Sequence, residues 1–169
     1  MAQAARPERY RRATMADEDR VDIEHPNRRK ASSKLARLVV IVLLLASAAV
    51  VLIISLGGWD TQEGAKPIQI VFIAVYVIFA LFVARWSRGV LPMIAALAVI
   101  LGIFGAVAAP AWFDRDKDGF TDPAISSGVL GLVCVLLVLL QIALFLSAMI
   151  GFRQGWNVEV ERRREPAPA

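Results

Sequence analysis

The chain has 169 residues, enough for one domain, and 57% of them are hydrophobic. Soluble globular domains contain about 45–50% apolar residues, so this composition excludes an ordinary soluble domain. The net charge of +4 comes from residues at the two ends and in short connectors, which leaves four long uncharged runs. We therefore predict an all-α integral membrane protein, a bundle of four transmembrane helices with cytoplasmic termini and flexible basic tails.

Residues 1–33 are polar and show no apolar periodicity, so they are predicted to be a disordered cytoplasmic tail. The chain from residue 28 onward is a candidate helical start of the first span. We expect the basic cluster here to lie on anionic headgroups, at about 1 kcal/mol for each basic residue. No aromatic residues interleave these charges, so a nucleic-acid partner is not expected. The membrane-surface cluster consists of Arg28, Arg29, Lys30, Lys34 and Arg37.

The predicted transmembrane domain covers residues 34–152 and is followed by a short cytoplasmic tail at 153–169. At a rise of 1.5 Å per residue, about 20 apolar residues cross a bilayer. An alternative for the first run is a cleaved signal peptide, because Ala46, Ser47 and Ala48 resemble a cleavage site. Apolar residues continue for about ten positions beyond that triplet, which favours a retained span. The four predicted spans are about 38–58, 67–84, 90–111 and 125–151.

The distribution of lysine and arginine predicts the orientation. With four spans, one side of the membrane carries both tails and the connector at 85–88, with 16 basic residues. The other side carries three, so the positive-inside rule places both termini in the cytoplasm and the loops at 58–66 and 112–124 outside. The alanine- and arginine-rich composition is typical of bacteria with GC-rich genomes, which indicates a bacterial plasma membrane.

The four uncharged runs contain no Asp, Glu, Lys, Arg or His. Ionisable residues within spans mark most ion and proton pathways, so a carboxylate-coupled transporter, a proton pump and a voltage sensor are not expected. The single histidine, His25, lies in the tail, which leaves no imidazole in a span for haem. We expect neither haem nor a nucleotide cofactor, and no enzyme activity.

Small residues at four-residue spacing indicate where helices pack closely. One ridge consists of Ala98, Gly102 and Ala106 in the third span, and another of Ala143, Ser147 and Gly151 in the fourth. Gln141 is the one strongly polar side chain deep in a span, so it is expected to form a hydrogen bond. Its partner is another span of the same chain, a second subunit of an oligomer, or a polar path lined by several copies.

The loop after the third span contains alternating acids, and Gly119 permits a sharp turn among them. It resembles the calcium-binding loops of EF-hand and dockerin-type repeats over about nine residues, but Ile125 replaces the bidentate glutamate at the twelfth position. The resemblance implies a weak structural Ca²⁺ site, with Kd on the order of 10⁻⁴–10⁻³ M. The alternative is a solvated turn in which Arg115 and Lys117 pair with the acids. The metal ligands would be Asp114, Asp116, Asp118, the carbonyl of Phe120, and Asp122.

Three functional hypotheses follow. The first is a non-catalytic subunit or scaffold that packs against itself, as a homo-oligomer, or against a larger membrane complex. The second is a homo-oligomeric channel or facilitator, with Gln141 on a polar path. The third is a cation-responsive sensor that couples the acidic loop to the tails.

Overall fold

The computed structural model describes residues 21–62, 64–115 and 123–163. The described chain is predominantly helical, with two short turns of 3₁₀ helix at Trp59–Thr61 and Arg88–Val90. In chain order its elements are β1 (Val21–Glu24), α1 (Pro26–Arg29), α2 (Ala31–Gly57), α3 (Lys66–Ala84), α4 (Leu91–Asp114), α5 (Ser127–Arg153) and β2 (Val160–Arg163).

Four helices, α2 to α5, are long and apolar enough to cross a membrane, which confirms the predicted number of spans and their helical nature. Their bounds differ from the predicted spans in both directions, since α2 begins earlier and α5 begins later than predicted. Helix α2 begins at Ala31 rather than near residue 38, because no proline or glycine interrupts the polar segment before the first apolar residue. Hydropathy therefore locates the part of each helix that needs lipid, while backbone hydrogen bonding determines where the helix starts.

Both tails differ from the prediction where the structure describes them. Instead of being disordered up to residue 33, the chain forms β1, α1 and the first turn of α2. Strand β1 pairs with β2 in an antiparallel ribbon, in which Val21 lies opposite Arg163 and Glu24 opposite Val160. The hydrogen bonds of this ladder satisfy backbone N–H and C=O groups in both tails, where no local sequence pattern predicted a strand. Residues 1–20 and 164–169 lie outside the described part of the chain.

The helices pack in the spatial order α3, α2, α5, α4. Helices α4 and α5 have the most extensive contact, whereas α3 and α4 barely touch, so a cleft remains between them. Close approach of α4 to α5 depends on Gly131, because a Cβ atom there would lie 2.7 Å from the ring of Phe113. Large apolar side chains cover the outward faces of all four helices, as expected for helices surrounded by lipid.

The bundle has two different ends. The loop end carries the connections α2–α3 and α4–α5, and the tail end carries the β1–β2 ribbon and the connection α3–α4. At the loop end, Gly58 lets the ring of Trp112 lie against the backbone, since a Cβ atom would meet that ring at 2.6 Å. At the tail end, Trp156 is completely buried and meets Trp86 edge to face, with 5.6 Å between ring centroids.

Candidate functional site

A buried hydrogen-bonded trio connects three helices in the apolar core, and we call it the polar trio. Tyr76 of α3 donates from Oη to Oε1 of Gln141 at 2.8 Å. Gln141 of α5 in turn donates from Nε2 to Oγ of Ser47 in α2 at 2.9 Å. All three side chains are buried, with exposed fractions of 2% or less. Of the partners considered for Gln141, the structure therefore shows the one within the same chain.

The sequence builds the polar trio from the buried faces of its helices. Tyr76 lies on a face of α3 with Phe72 and Phe79, both also buried, so its hydroxyl enters the core and needs an acceptor. Ser47 is small enough to let α2 approach α5 at this level. Hydrogen bonds of this kind within a membrane contribute about 0.6–1.7 kcal/mol each. The polar trio is uncharged at neutral pH, so it fixes the relative position of helices rather than carrying protons.

The three residues of the predicted small-residue ridge of α4 differ in burial. Ala98 is buried, Gly102 is half-buried and Ala106 is exposed. The reason is geometric, because four residues advance about 40° past one full turn of an α-helix, so the ridge rotates out of the interface. The small residues that continue the contact with α5 are Gly105 and Ala109, both buried.

The residues of the second ridge differ in burial in the same way. Gly151 is buried, and a Cβ atom there would lie 3.1 Å from the indole of Trp156 and 3.4 Å from Leu91. Ala143 and Ser147 are only half-buried. Close approach in α5 therefore occurs at the tail end, where an aromatic side chain from the C-terminal tail fills the space above Gly151.

The exposed parts of the α4 ridge form one wall of a groove between α4 and α5. This surface groove has a volume of about 310 Å³. Gly102 and Ala106 line one side, Ile142 and Phe145 line the other, and Gln141 lies at its base. Exposed Ile103 and Leu146 complete its rim. The groove faces away from the bundle, so it is open to whatever surrounds the helices in a membrane.

Two members of the membrane-surface cluster are half-buried and form hydrogen bonds with other parts of the chain. Arg28 donates from Nε to the carbonyl of Trp156 at 3.3 Å and from Nη2 to Oδ1 of Asn157 at 3.0 Å. Arg37 donates to the carbonyl of Ala84, and its guanidinium lies 4.5 Å from the centroid of the Trp86 ring.

The other three members of the cluster, Arg29, Lys30 and Lys34, are exposed. Arg29 lies 4.0 Å from a carboxylate oxygen of Glu24, with its side chain 79% exposed. An ion pair this exposed adds little stability. Contact with anionic headgroups stays a prediction, and these three residues are the ones free to make it.

Most of the predicted calcium loop lies outside the described residues. This applies to Asp116, Asp118, Phe120 and Asp122, whereas Asp114 is the last residue of α4. Within the described ranges, no group of three or more potential metal ligands comes together. The calcium site therefore stays a prediction.

Ile125, at the position where a calcium loop carries its bidentate glutamate, is part of the described chain. Its backbone N–H donates to the carbonyl of Gly57 at 3.2 Å. Its side chain packs against Gly57 so closely that a Cβ atom there would lie 2.7 Å from Cδ1 of Ile125. This position thus attaches the loop to the end of α2.

We compared the chain with protein-family models, with characterised proteins and with solved structures, and found no match in any of the three. Its function is therefore inferred from its own residues and geometry.

Proposed function

We propose that this protein is a non-catalytic membrane subunit or scaffold that binds a neighbouring transmembrane helix. The observation that carries the proposal is the surface groove between α4 and α5. Its wall at Gly102 and Ala106 is small enough for another backbone to approach closely, and its volume of about 310 Å³ admits side chains of a facing helix. Helices in lipid associate mainly through such close van der Waals packing. The helix comes from a second copy or from a larger membrane complex.

The polar trio also supports a scaffold over a channel. A channel assembled from several copies would need Gln141 to face a shared polar path. In this structure both polar ends of Gln141 have partners in the same chain, on Tyr76 and Ser47. The apolar runs contain no Asp, Glu, Lys, Arg or His, the residues that usually mark ion and proton pathways, which further favours a structural role.

The proposed setting is a bacterial plasma membrane with both termini in the cytoplasm. The unequal distribution of basic residues, 16 against three, supports this orientation. Reporter domains fused to each terminus test it, because a reporter that is active only in the cytoplasm should work at both ends. In this setting the acidic loop faces the outside, where a weak calcium site would be occupied.

Oxidative crosslinking in native membranes tests the groove. Ala106→Cys places a thiol on the groove, and Ala74→Cys places one on the exposed face of α3 as a matched control. The native Cys134 is buried and should not react. We expect Ala106→Cys to crosslink and Ala74→Cys to remain monomeric.

The mass of the crosslinked product identifies the partner. A product of twice the 18.5 kDa chain mass indicates a second copy, which brings its own introduced thiol, and any other mass indicates a different membrane protein that has a cysteine facing the groove. If Ala106→Cys and Ala74→Cys behave alike, and the protein purifies in mild detergent as a monomer without other subunits, the scaffold proposal is wrong.

A further inference from the structure

The second opening in the bundle is the cleft between α3 and α4, on a different side from the surface groove. Its volume is about 270 Å³, and its walls come from all four long helices. Phe72 and Phe104 meet edge to face across it, with ring centroids 6.0 Å apart, and Cys134 and Leu137 of α5 contribute to its wall. Apolar cavities of only about 150 Å³ already accept small apolar ligands, so this cleft offers a site for a hydrocarbon chain.

The cleft is open sideways to the surrounding lipid. Ile68 of α3 and Phe104 of α4 line it and are each 44% exposed. These two helices barely touch along their length, and the contact across the cleft is between the rings of Phe72 and Phe104. A lipid chain could therefore enter laterally, without first crossing water.

The cleft continues into a mouth at the loop end, where three polar side chains join a mainly apolar lining. This mouth has a volume of about 210 Å³ and shares Ile54, Ala65, Gln69 and Ala108 with the cleft. From Leu101 in the cleft to Trp112 at the mouth, α4 rises about 16 Å. The two spaces together form one elongated site that is apolar over most of its length, with its polar groups at the end where the bundle reaches the membrane surface.

The polar groups of the mouth have unused hydrogen-bonding capacity. Gln69 donates from Nε2 to Oε1 of Gln62, which leaves Nε2 of Gln62 and Oε1 of Gln69 buried and without a partner in the described chain. Arg115 also lines the mouth. Its guanidinium lies 5.5 Å from the centroid of the Trp112 ring, and its Nη1 lies 3.4 Å from the carbonyl of Thr61.

Among the described residues that line the mouth, Arg115 is the one side chain that is charged at neutral pH. Asp60 and Asp114 lie at the same end of the bundle, but neither lines the mouth. A guanidinium beside an amide donor suits a phosphate oxygen, and the amide acceptor suits a hydroxyl group.

We propose that the cleft and its mouth bind one anionic phospholipid, with an acyl chain between α3 and α4 and its phosphate at Arg115. The apolar walls select a lipid over a soluble phosphate, and the positive charge of Arg115 disfavours the extra cation of a zwitterionic headgroup. This site is separate from the surface groove, so it can be occupied whether or not another helix docks there.

Native mass spectrometry of the full-length protein in mild detergent tests the lipid site, with phosphatidylglycerol and phosphatidylcholine as probes. We expect one phosphatidylglycerol to remain bound, about tenfold tighter than phosphatidylcholine. Both lipids offer a phosphate to Arg115, but choline brings a second cation beside the guanidinium and has no hydroxyl to donate to Oε1 of Gln69, whereas glycerol brings no charge and has hydroxyls. Arg115→Gln should remove this preference, whereas Arg153→Gln, an exposed residue at the tail end that is not part of the membrane-surface cluster, should keep it. Inorganic phosphate should not displace the lipid.

A second pair of variants tests the apolar part. Ala108→Phe fills the cleft and should abolish the lipid adduct, whereas Ala106→Phe adds the same side chain to the surface groove and should retain it. If Ala108→Phe does not fold, Ala108→Leu serves as the milder substitution. Equal binding of both phospholipids to the unaltered protein, displacement by inorganic phosphate, or an adduct that survives in the folded Ala108 variant would overturn the proposal. None of these results depends on the crosslinking of the surface groove.

Discussion

Replacing Gln141 by leucine is expected to destabilise the bundle by removing both hydrogen bonds of the polar trio. The Tyr76 hydroxyl then loses its acceptor in a place that water does not reach, whereas the Ser47 hydroxyl can bond to a carbonyl of its own helix. At about 0.6 kcal/mol for each bond, the loss is about 1.2 kcal/mol, and the unpaired tyrosine can raise it to about 3 kcal/mol.

A double-mutant cycle isolates the bond between α3 and α5. Tyr76→Phe, Gln141→Leu and the double variant are unfolded with sodium dodecyl sulfate in mixed micelles, and helix content is followed by circular dichroism. We expect a coupling free energy of about 0.6–1.7 kcal/mol. Ser55→Ala is the matched control, because Ser55 bonds to the carbonyl of Val51 in its own helix and should not couple to Gln141.

The hydrogen bond between Tyr76 and Gln141 is refuted if the effects of Tyr76→Phe and Gln141→Leu on the unfolding free energy are additive within about 0.3–0.5 kcal/mol. It is also refuted if Ser55→Ala couples to Gln141→Leu as strongly as Tyr76→Phe does. In either case Gln141 would not be held by Tyr76, and the argument against a pore-lining role for Gln141 would fail as well.

Three further predictions concern the ends of the bundle. Gly58→Ala should lower the unfolding free energy by about 1–3 kcal/mol, because the new methyl group meets the indole ring of Trp112. Gly89→Ala is the control, because the space around Gly89 is open, and it should have almost no effect in the same denaturation assay. Arg37→Gln should lower the unfolding free energy by about 1–2 kcal/mol, because it removes the contact with the Trp86 ring and the bond to the Ala84 carbonyl. Lys34→Gln, exposed one turn earlier, should change the unfolding free energy by no more than about 0.5 kcal/mol. Equal effects of the two variants would contradict these contacts of Arg37. Calcium at several times an expected Kd on the order of 10⁻³ M should raise the melting temperature of the unaltered protein but not of Asp116→Asn, and the absence of any rise would eliminate the calcium site.

The number and type of the spans could be predicted because each is encoded in one uninterrupted stretch of sequence. A run of about 20 apolar residues has few alternatives to a transmembrane helix. The start of α2 at Ala31 could not be read from hydropathy, since polar residues extend a helix beyond the membrane without changing its period. The β1–β2 ribbon was missed because its strands are four residues each and lie at opposite ends of the chain.

The polar trio could be predicted only in part from the sequence. An uncharged polar side chain in a span requires a partner, and that requirement was visible for Gln141. The identity of the partner was not, because Tyr76 and Ser47 are 65 and 94 residues away in sequence. Tyr76 gave a partial signal, since its hydroxyl interrupts an otherwise apolar aromatic face of the second span.

The ridge of Ala98, Gly102 and Ala106 could be predicted only as a pattern of small residues. A four-residue repeat does not stay on one face of a straight helix, so Ala98 is buried whereas Ala106 is exposed. The exposed end of the ridge is the part that lines the surface groove.

The ribbon between the two tails has a consequence for the order of events during synthesis. Strand β1 leaves the ribosome before any of the spans, yet its partner β2 is the last described segment to be made. The ribbon therefore closes only after all four helices exist and both tails have reached the same face of the membrane. A chain shortened before Val160 should keep its spans and lose only this closure. Pairing of the two tails thus marks the end of the insertion of the four helices.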